Sequence, residues 1–208
     1  MKRIDGLDFL RGIAVVGMIF YHAVYVVDFY GLAEVDFGEV RFVILARVVQ
    51  FLFLGLVGVG MAMSCKRAGF IRRQLKRVLV IGAMAGLVSF CTWAVLGDLF
   101  VRFGILHLIA VSSFCLMWLV RWRLAVLAVG VLGLFLPFSF LAYPSVDYFP
   151  LFPWISVVAA GVLLSGFVVG VASRFNGVRW VNFLGRNSLW VYMVHVPLIW
   201  AVVLLMRV

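Results

Sequence analysis

The sequence is poor in charged residues, in acids above all, and in cysteine. Only 12% of its 208 residues are charged and 66% are hydrophobic, with a mean hydropathy of +1.20. Because a soluble domain is about 25% charged and about half apolar, this composition excludes a soluble globular protein. The three cysteines are an odd number without metal-ligand spacing. We therefore expect Cys65, Cys91 and Cys115 to be buried as small apolar side chains.

Several catalytic and binding motifs are also missing. The chain has no zinc-protease, nucleophile-elbow, Walker or C-x-x-C pattern, so neither a metal site nor a hydrolase triad is predicted. Gly55, Gly58 and Gly60 lie in an apolar run with no preceding strand, which favours close helix packing over a nucleotide loop. The net charge of +10 does not indicate a nucleic-acid partner, because the cations lie in short segments between apolar runs.

What the sequence does contain is a series of seven apolar runs, each near the length of about 20 residues that a bilayer requires. The runs cover residues 9–30, 42–64, 77–97, 104–120, 124–142, 152–172 and 184–206. Their length favours helices over the alternating strands of a barrel. We therefore predict an all-α, polytopic integral membrane helix bundle of about seven transmembrane helices. We treat residues 1–208 as a single domain, in which the fourth and fifth helices form a hairpin.

Lysine and arginine are distributed unequally over the segments between these runs. With the N-terminus inside, twelve of them lie on the inner side and three on the outer side. The inner cations are Lys2, Arg3, Lys66, Arg67, Arg72, Arg73, Lys76, Arg77, Arg121, Arg123, Arg174 and Arg179, and the outer ones are Arg41, Arg102 and Arg207. This bias predicts an N-in, C-out topology. The basic inner loop 66–77 either anchors the chain beside anionic lipid or attracts an anionic cytoplasmic ligand.

The first apolar run holds the most informative pair of side chains, Arg11 and His22. Ten residues separate them, so on a helix they are about 20° apart in rotation and roughly 16 Å apart along the axis. Both therefore lie on one face. Ionisable groups inside a membrane span are costly and tend to mark functional sites. Asp8, one turn before Arg11, is expected either to neutralise it at the boundary or to orient it toward a ligand.

Other polar groups recur inside the apolar runs. Depths estimated from the helix rise place His22, His107 and His195 in the outer half of the bilayer. There they either pack as hydrogen-bonded core residues or share a polar cavity. Ser188, Tyr192 and His195 follow the spacing i, i+4, i+7, so this face of the last helix is predicted to point into the bundle.

Three further residues lie near the predicted membrane boundaries. Arg186 and Asn187 precede the last helix on the inner side, where they cap the helix or meet a cytoplasmic ligand. Asp147 lies in an outer segment, residues 143–154, that is rich in proline and aromatic side chains. Most of that segment is typical of an interfacial belt, and Asp147 is its one candidate for contact with a sugar hydroxyl or an amine.

Taken in order, four parts of the chain resemble the membrane acyltransferase superfamily. They are IDGLDFLRGIAVVGMIFYH (4–22), FLFLGLVGVGMAMS (51–64), RFGILHLIAV (102–111), and DYFPLFPWISVVAAGVLL (147–164) with LGRNSLWVYMVHVPL (184–198). The closest likeness is to short prokaryotic members of the heparan-α-glucosaminide N-acetyltransferase catalytic-domain family. The spacing between Arg11 and His22 resembles the signature of the related acyltransferase-3 family.

The resemblance implies a membrane-embedded acyltransferase of a prokaryotic cytoplasmic membrane. Cytoplasmic acetyl-CoA would donate an acyl group to an extracytoplasmic glycan or amino sugar, with no metal. His22 would be catalytic, either as a general base or as a transient acyl-imidazole. The residues expected to bind acetyl-CoA are Asp8, Arg11, Arg186 and Asn187, and those expected to bind the acceptor substrate are His107, Asp147, Tyr192 and His195.

Two other functions are compatible with the same residues. A small proton-coupled transporter or channel would use the three histidines as a relay, although the repeated halves typical of many transporters are not visible. A non-catalytic scaffold would keep the acyltransferase fold without its chemistry. The sequence also leaves homo-oligomerisation in the bilayer open.

Overall fold

The computed structural model describes residues 4–136 and 145–206. Its helices in chain order are α1 (Asp5–Phe29), α2 (Val40–Ser64), α3 (Phe70–Leu96), α4 (Ile105–Leu116), α5 (Arg123–Phe135), α6 (Leu151–Leu163), α7 (Ser165–Ala172), α8 (Arg179–Arg186) and α9 (Ser188–Leu205). A 3₁₀ turn, Gly97–Leu99, follows α3. In these residues β pairing is limited to one isolated bridge between Phe103 and Tyr148. The all-α prediction is therefore confirmed.

Several of these helices are long and apolar enough to cross a bilayer. In the described residues there are four: α1, α2, α3 with its 3₁₀ turn, and α9. The pair α6 and α7 is bent by 63° and makes a fifth if it counts as one span. Helices α4 and α5 have only 12 and 13 residues, against the ~20 that a straight crossing needs. An integral membrane protein is thus supported, whereas seven spans and the N-in, C-out orientation stay predictions.

The helix surfaces agree with a lipid environment. Large apolar side chains point away from the protein, and Phe20, Leu79 and Trp190 are 55%, 63% and 64% exposed. Cys91 and Cys115 are also exposed, and only Cys65 is buried, so the prediction of three buried cysteines is wrong for two of them. An apolar thiol at a lipid-facing surface is already out of water and needs no burial inside the protein.

Some predicted boundaries differ from the structure. Helix α3 begins at Phe70, seven residues before the third apolar run, because Lys and Arg are good helix formers even where hydropathy is low. The last run is divided between α8 and α9 at Asn187, whose φ of −105° and ψ of 20° interrupt the helix. Helix α4 packs mainly on α3 and α5 on α6, so the expected hairpin is not their main contact. The end of the fifth run, residues 137–142, lies outside the described residues.

Contacts group the chain into two units. The first is Met1–Phe53 with Val169–Val208, and the second is Leu54–Val168. The first unit holds α1, α8, α9 and the beginning of α2. The second holds the end of α2, helices α3 to α6 and the beginning of α7. Whether the chain behaves as a single domain stays a prediction.

In the first unit, glycines let α1 and α8 touch backbone to backbone. A Cβ at Gly12 would lie 2.1 Å from the Val181 carbonyl oxygen, and one at Gly185 would lie 1.8 Å from the Asp8 carbonyl oxygen. No side chain fits at such distances, so glycine is required at this crossing. The close approach places the end of α8 beside the first turns of α1.

In the second unit, glycines bring α2 and α6 equally close. A Cβ at Gly58 would lie 2.1 Å from the Val158 carbonyl oxygen, and one at Gly161 would lie 2.1 Å from the Gly55 carbonyl oxygen. The prediction of close helix packing is confirmed at Gly58, whereas a Cβ at Gly55 would meet no atom within 4 Å, so the glycine needed opposite Gly55 is Gly161. Two arginines, Arg121 and Arg123, donate to the carbonyl oxygens of Cys65 and Leu163. They satisfy main-chain acceptors at the C-terminal ends of α2 and α6, since Cys65 follows α2 directly and Leu163 is the last residue of α6.

Candidate functional site

Two histidines meet where α1 packs against α9. His22 Nδ1 lies 2.9 Å from the Met18 carbonyl oxygen, one turn earlier on α1. His195 Nε2 lies 3.4 Å from the same Nδ1 atom, and the two ring centroids are 4.9 Å apart at an interplanar angle of 78°. His195 Nδ1 lies 2.6 Å from the Tyr192 carbonyl oxygen. His195 is only 5% exposed and His22 is half-buried, so the pair lies between the packed helices with His195 as its inner member.

These contacts assign the ring protons of the neutral pair. A carbonyl oxygen only accepts hydrogen bonds, so Nδ1 of His22 and Nδ1 of His195 each carry the proton that they donate to Met18 and Tyr192. Nε2 of His195 is then an acceptor, and it receives a second, longer branch of the bond from His22 Nδ1–H. Nε2 of His22 keeps a lone pair, which is what a general base requires.

The polar face of α9 orients His195. Ser188 and Tyr192 are half-buried and His195 is buried, whereas Trp190 and Val194 on the other side are 64% and 48% exposed. The Tyr192 ring centroid lies 5.4 Å from that of His195. The predicted inward orientation of this face is confirmed, and the roles of Tyr192 and His195 toward an acceptor stay predictions.

At the beginning of α1, two acids and two arginines form an ion cluster. Asp8 is 2% exposed, and its two carboxylate oxygens each lie 3.3 Å from a guanidinium nitrogen, Oδ1 from Arg11 and Oδ2 from Arg186. Arg186 also lies 3.0 Å from Asp5 Oδ1. A buried carboxylate requires such partners. The local Asp8–Arg11 pair that spacing suggested is therefore present, and Arg186 extends it across to α8.

The ion cluster brings together three of the four residues predicted to bind acetyl-CoA. Its formal charges balance, with Asp5 and Asp8 opposite Arg11 and Arg186. The fourth residue, Asn187, donates from its side chain to the Phe183 carbonyl oxygen at 2.9 Å. Asn187 precedes α9 but makes no side-chain cap there, so of its two predicted roles capping is wrong, and contact with a cytoplasmic ligand stays a prediction. Its amide closes the end of α8 instead.

In the second unit, His107 closes the beginning of α4. Its Nδ1 accepts a hydrogen bond from the backbone N–H of Gly104 at 3.2 Å. Its Nε2 lies 3.3 Å from Ser89 Oγ, and Ser89 donates its own proton to the Val101 carbonyl oxygen. Ser89 therefore accepts from His107 Nε2–H, and the neutral ring of His107 has the opposite tautomer from those of His22 and His195.

Asp147 also lies at the beginning of α4. Its carboxylate accepts a hydrogen bond from the backbone N–H of Ile105, and a Cβ at Gly104 would lie 2.6 Å from its Oδ2. Burial raises the pKa of Asp147 from its ordinary 3.8 to about 6, although the bond from Ile105 acts in the opposite direction. Ser145 fixes the same segment by donating to the Phe100 carbonyl oxygen at 2.8 Å.

The histidines are thus divided between two environments. His22 and His195 form a pair in the first unit, and His107 has its own partners in the second. Sequence reasoning did not identify Ser89 or the Asp5–Arg186 pair. No spacing rule could have found them, because Ser89 is 18 residues from His107 and Asp5 is 181 residues from Arg186.

No metal-binding group of three or more His, Cys, Asp or Glu side chains occurs in the part of the chain that the structure describes. The site consists instead of an imidazole pair and an ion cluster, both mounted on α1. Placed on apolar helices of membrane-spanning length, they define an integral membrane protein with ionisable groups collected on packed helix faces.

Sequence comparison identifies the family within this class of integral membrane proteins. Residues 3–197 match the profile of the family described as Heparan-alpha-glucosaminide N-acetyltransferase, catalytic, and the chain belongs to that family. The resemblance seen in the sequence is thereby confirmed, and the family places the protein among the membrane acyltransferases. No curated protein and no solved structure matches the chain significantly.

Proposed function

We propose that the protein transfers an acetyl group from acetyl-CoA to a sugar hydroxyl or amine on the opposite side of the membrane. Family membership supports the reaction class. The observation that carries the proposal is the His22–His195 pair, because it leaves Nε2 of His22 with a lone pair inside a membrane-spanning helix. A base held there by two hydrogen-bond acceptors is positioned for proton transfer.

The chemistry needs one base and one leaving group. Nε2 of His22 takes the proton of the acceptor hydroxyl or amine as its oxygen or nitrogen attacks the thioester carbon. A C–O or C–N bond forms, the C–S bond breaks, and the thiolate of CoA leaves and takes up a proton. In the variant route, Nε2 itself attacks the thioester carbon, and the C–S bond breaks to release the thiolate of CoA. The acceptor's oxygen or nitrogen then attacks the acyl-imidazole, the C–N bond to His22 breaks, and the acceptor's proton passes to the thiolate.

We assign the donor to the end of α1 that carries the ion cluster. Arg11 is about 16 Å from His22 along the helix axis, a length that an extended pantetheine arm covers. The side chain of Arg186 is 42% exposed, and a guanidinium offers a fork of donors to phosphate oxygens. Asp8 holds both arginines in place, and Asn187 follows Arg186 directly in the chain.

We assign the acceptor to three further polar side chains, each taken within its own unit. Tyr192 lies beside the histidine pair and presents a hydroxyl suited to a sugar. His107 and Asp147, in the second unit, are proposed for the acceptor on chemical grounds. A carboxyl group with a pKa of about 6 can exchange protons and hydrogen bonds with hydroxyl or amino groups near neutral pH.

Thiol release from acetyl-CoA by the purified protein, with glucosamine and related sugars as acceptors, tests this function. We expect His22→Ala to reduce release by about 100-fold or more, the usual contribution of a general base, with the fold intact. Phe20→Ala is the matched control, because Phe20 is on the same helix and 55% exposed. Equal turnover by the wild type and His22→Ala would remove His22 from the mechanism.

Two arginine variants test the assignment of acetyl-CoA to the ion cluster. Arg186→Ala is expected to raise the KM for acetyl-CoA more than it lowers kcat, whereas Arg179→Ala should change neither. Arg179 is an exposed arginine at the other end of α8, so the two variants remove the same charge from one helix.

Proton or solute flux in liposomes that does not depend on acetyl-CoA would favour a transporter. Absence of acetyl-CoA binding by folded protein would favour a scaffold.

A further inference from the structure

Both ring nitrogens of His195 are already engaged within the protein. Nδ1 donates to the Tyr192 carbonyl oxygen at 2.6 Å, and Nε2 faces Nδ1 of His22 at 3.4 Å. The ring is 5% exposed. A residue that bound the acceptor would direct one of these nitrogens at the substrate, and His195 has neither to offer.

We infer that His195 is a positioning residue for His22: its Nε2 accepts from His22 Nδ1–H and thereby keeps Nε2 of His22 as the basic atom. The inference rests on the proposed function, in which His22 takes the acceptor's proton. It replaces the substrate-binding role expected for His195 with one that acts through another side chain.

The geometry explains why a second acceptor matters. In neutral His22, the Met18 carbonyl oxygen at 2.9 Å is sufficient for Nδ1–H. Once Nε2 has taken a proton the ring is cationic, and its Nδ1–H becomes a stronger donor shared between Met18 and His195 Nε2. Two prearranged acceptors stabilise a charge that exists only after proton transfer begins, which is the condition for lowering the barrier.

The same hydrogen bonds argue against a proton relay through this pair. If a proton moved from His22 Nδ1 to His195 Nε2, the other nitrogen of His195 would have to release one in turn. That nitrogen donates to a backbone carbonyl oxygen, which does not accept a proton for onward transfer. The chain of hydrogen bonds therefore ends at the Tyr192 carbonyl oxygen. The histidine pair holds His22 in place as a base and does not conduct protons.

Histidine tautomers measured by ¹⁵N NMR test the pairing without any turnover. The chain has three histidines, so signals can be assigned by replacing each with glutamine. The structure predicts Nδ1–H for His22 and His195 and Nε2–H for His107, the last serving as an internal reference of opposite tautomer. An Nε2–H tautomer at His22, or no change in its Nδ1 shift in His195→Leu, overturns the inference.

Kinetics of two variants test the role. His195→Gln keeps an acceptor oxygen near the position of Nε2, and His195→Leu has no acceptor. We expect His195→Leu to lower kcat by roughly tenfold or more with the KM for acetyl-CoA unchanged, and His195→Gln to recover most of it. Equal rates for the leucine variant and the wild type contradict the inference, as do equally slow glutamine and leucine variants.

The two proposals fail in different ways. If the wild type releases no thiol, the proposed function fails while the tautomers still decide the pairing. If the leucine variant does not fold, the glutamine variant and the wild-type spectrum remain decisive.

Discussion

At the scale of single residues, burial beside the beginning of α4 alters the ionisation of Asp147. Its pKa is about 6 in the folded protein, above the ordinary 3.8. A raised pKa in an acid means that the folded state resists ionisation, so the unfolded chain gives up this proton first as the pH rises. The folded state is therefore favoured at acid pH by this group, and that advantage is lost between roughly pH 4 and pH 6.

Asp147→Asn is expected to remove this pH dependence, because an amide does not ionise and its oxygen can still accept from Ile105. The thermal midpoint of the wild type should fall relative to that of the variant as the pH is raised from 4 to 6, and the difference should then level off. Midpoints of both proteins in the same detergent at each pH make the comparison. A difference that stays constant over this range contradicts the assigned pKa.

Single residues also show what the sequence could and could not predict. The Asp8–Arg11 pair follows from a spacing of three along a helix, and the structure has it. The partner of His22 was not predictable, since His195 is 173 residues away and any of several polar groups could have met it. Local spacing reports neighbours on one helix and carries no information on which helices touch.

At the scale of helices, α1 and α8 pack backbone to backbone because the glycines at their crossing carry no side chains. A Cβ at Gly12 or Gly185 would lie within about 2 Å of a carbonyl oxygen of the other helix. The contact places Arg186 on Asp8 and so builds the ion cluster. Packing and electrostatics at this crossing therefore depend on the same few residues.

Gly12→Ala should separate α1 from α8 and destabilise the protein by about 1–3 kcal/mol, the usual cost of overpacking. Gly86→Ala is the matched control, because a Cβ there meets no atom within 4 Å. Thermal midpoints in one detergent would be compared, together with the acetyl-CoA affinity expected to fall as Arg186 moves. A Gly12→Ala variant as stable as Gly86→Ala contradicts the backbone contact.

The apolar runs predicted the positions of most helices, but they did not predict where the helices end or bend. The break at Leu164, where φ is −87° and ψ is 4°, turns the sixth run into α6 and α7 without changing its hydropathy. Segment 179–186 lies across an inner loop and the beginning of the seventh apolar run, and it forms the separate helix α8. Hydropathy measures the preference for lipid, whereas backbone geometry at such points depends on tertiary packing.

Across the whole molecule, the charges are arranged asymmetrically. The connection between α2 and α3 carries Lys66 and Arg67, whereas Asp28, Glu34 and Asp36 lie at the end of α1 and in the connection that follows it. If the N-terminus is cytoplasmic, the first of these connections lies inside and the second lies outside. The helix count alone does not decide orientation, because two helices are too short for a straight crossing.

Cysteine labelling in intact cells tests this orientation, after the three native cysteines are replaced by serine. Glu34 and Ala68 are both exposed and lie in the two connections. A membrane-impermeant maleimide should label Glu34→Cys in intact cells, and should label Ala68→Cys only after permeabilisation. The reverse pattern contradicts the N-in orientation and would place the ion cluster on the outer side.

The most direct test of the central claim uses sealed proteoliposomes with acetyl-CoA in one compartment and the sugar acceptor in both. Acetyl transfer across the bilayer at His22 predicts acetylated sugar only in the compartment opposite the donor, formed by the wild type and Phe20→Ala and absent with His22→Ala. Product on the donor's own side, or an undiminished yield from His22→Ala, would contradict the account.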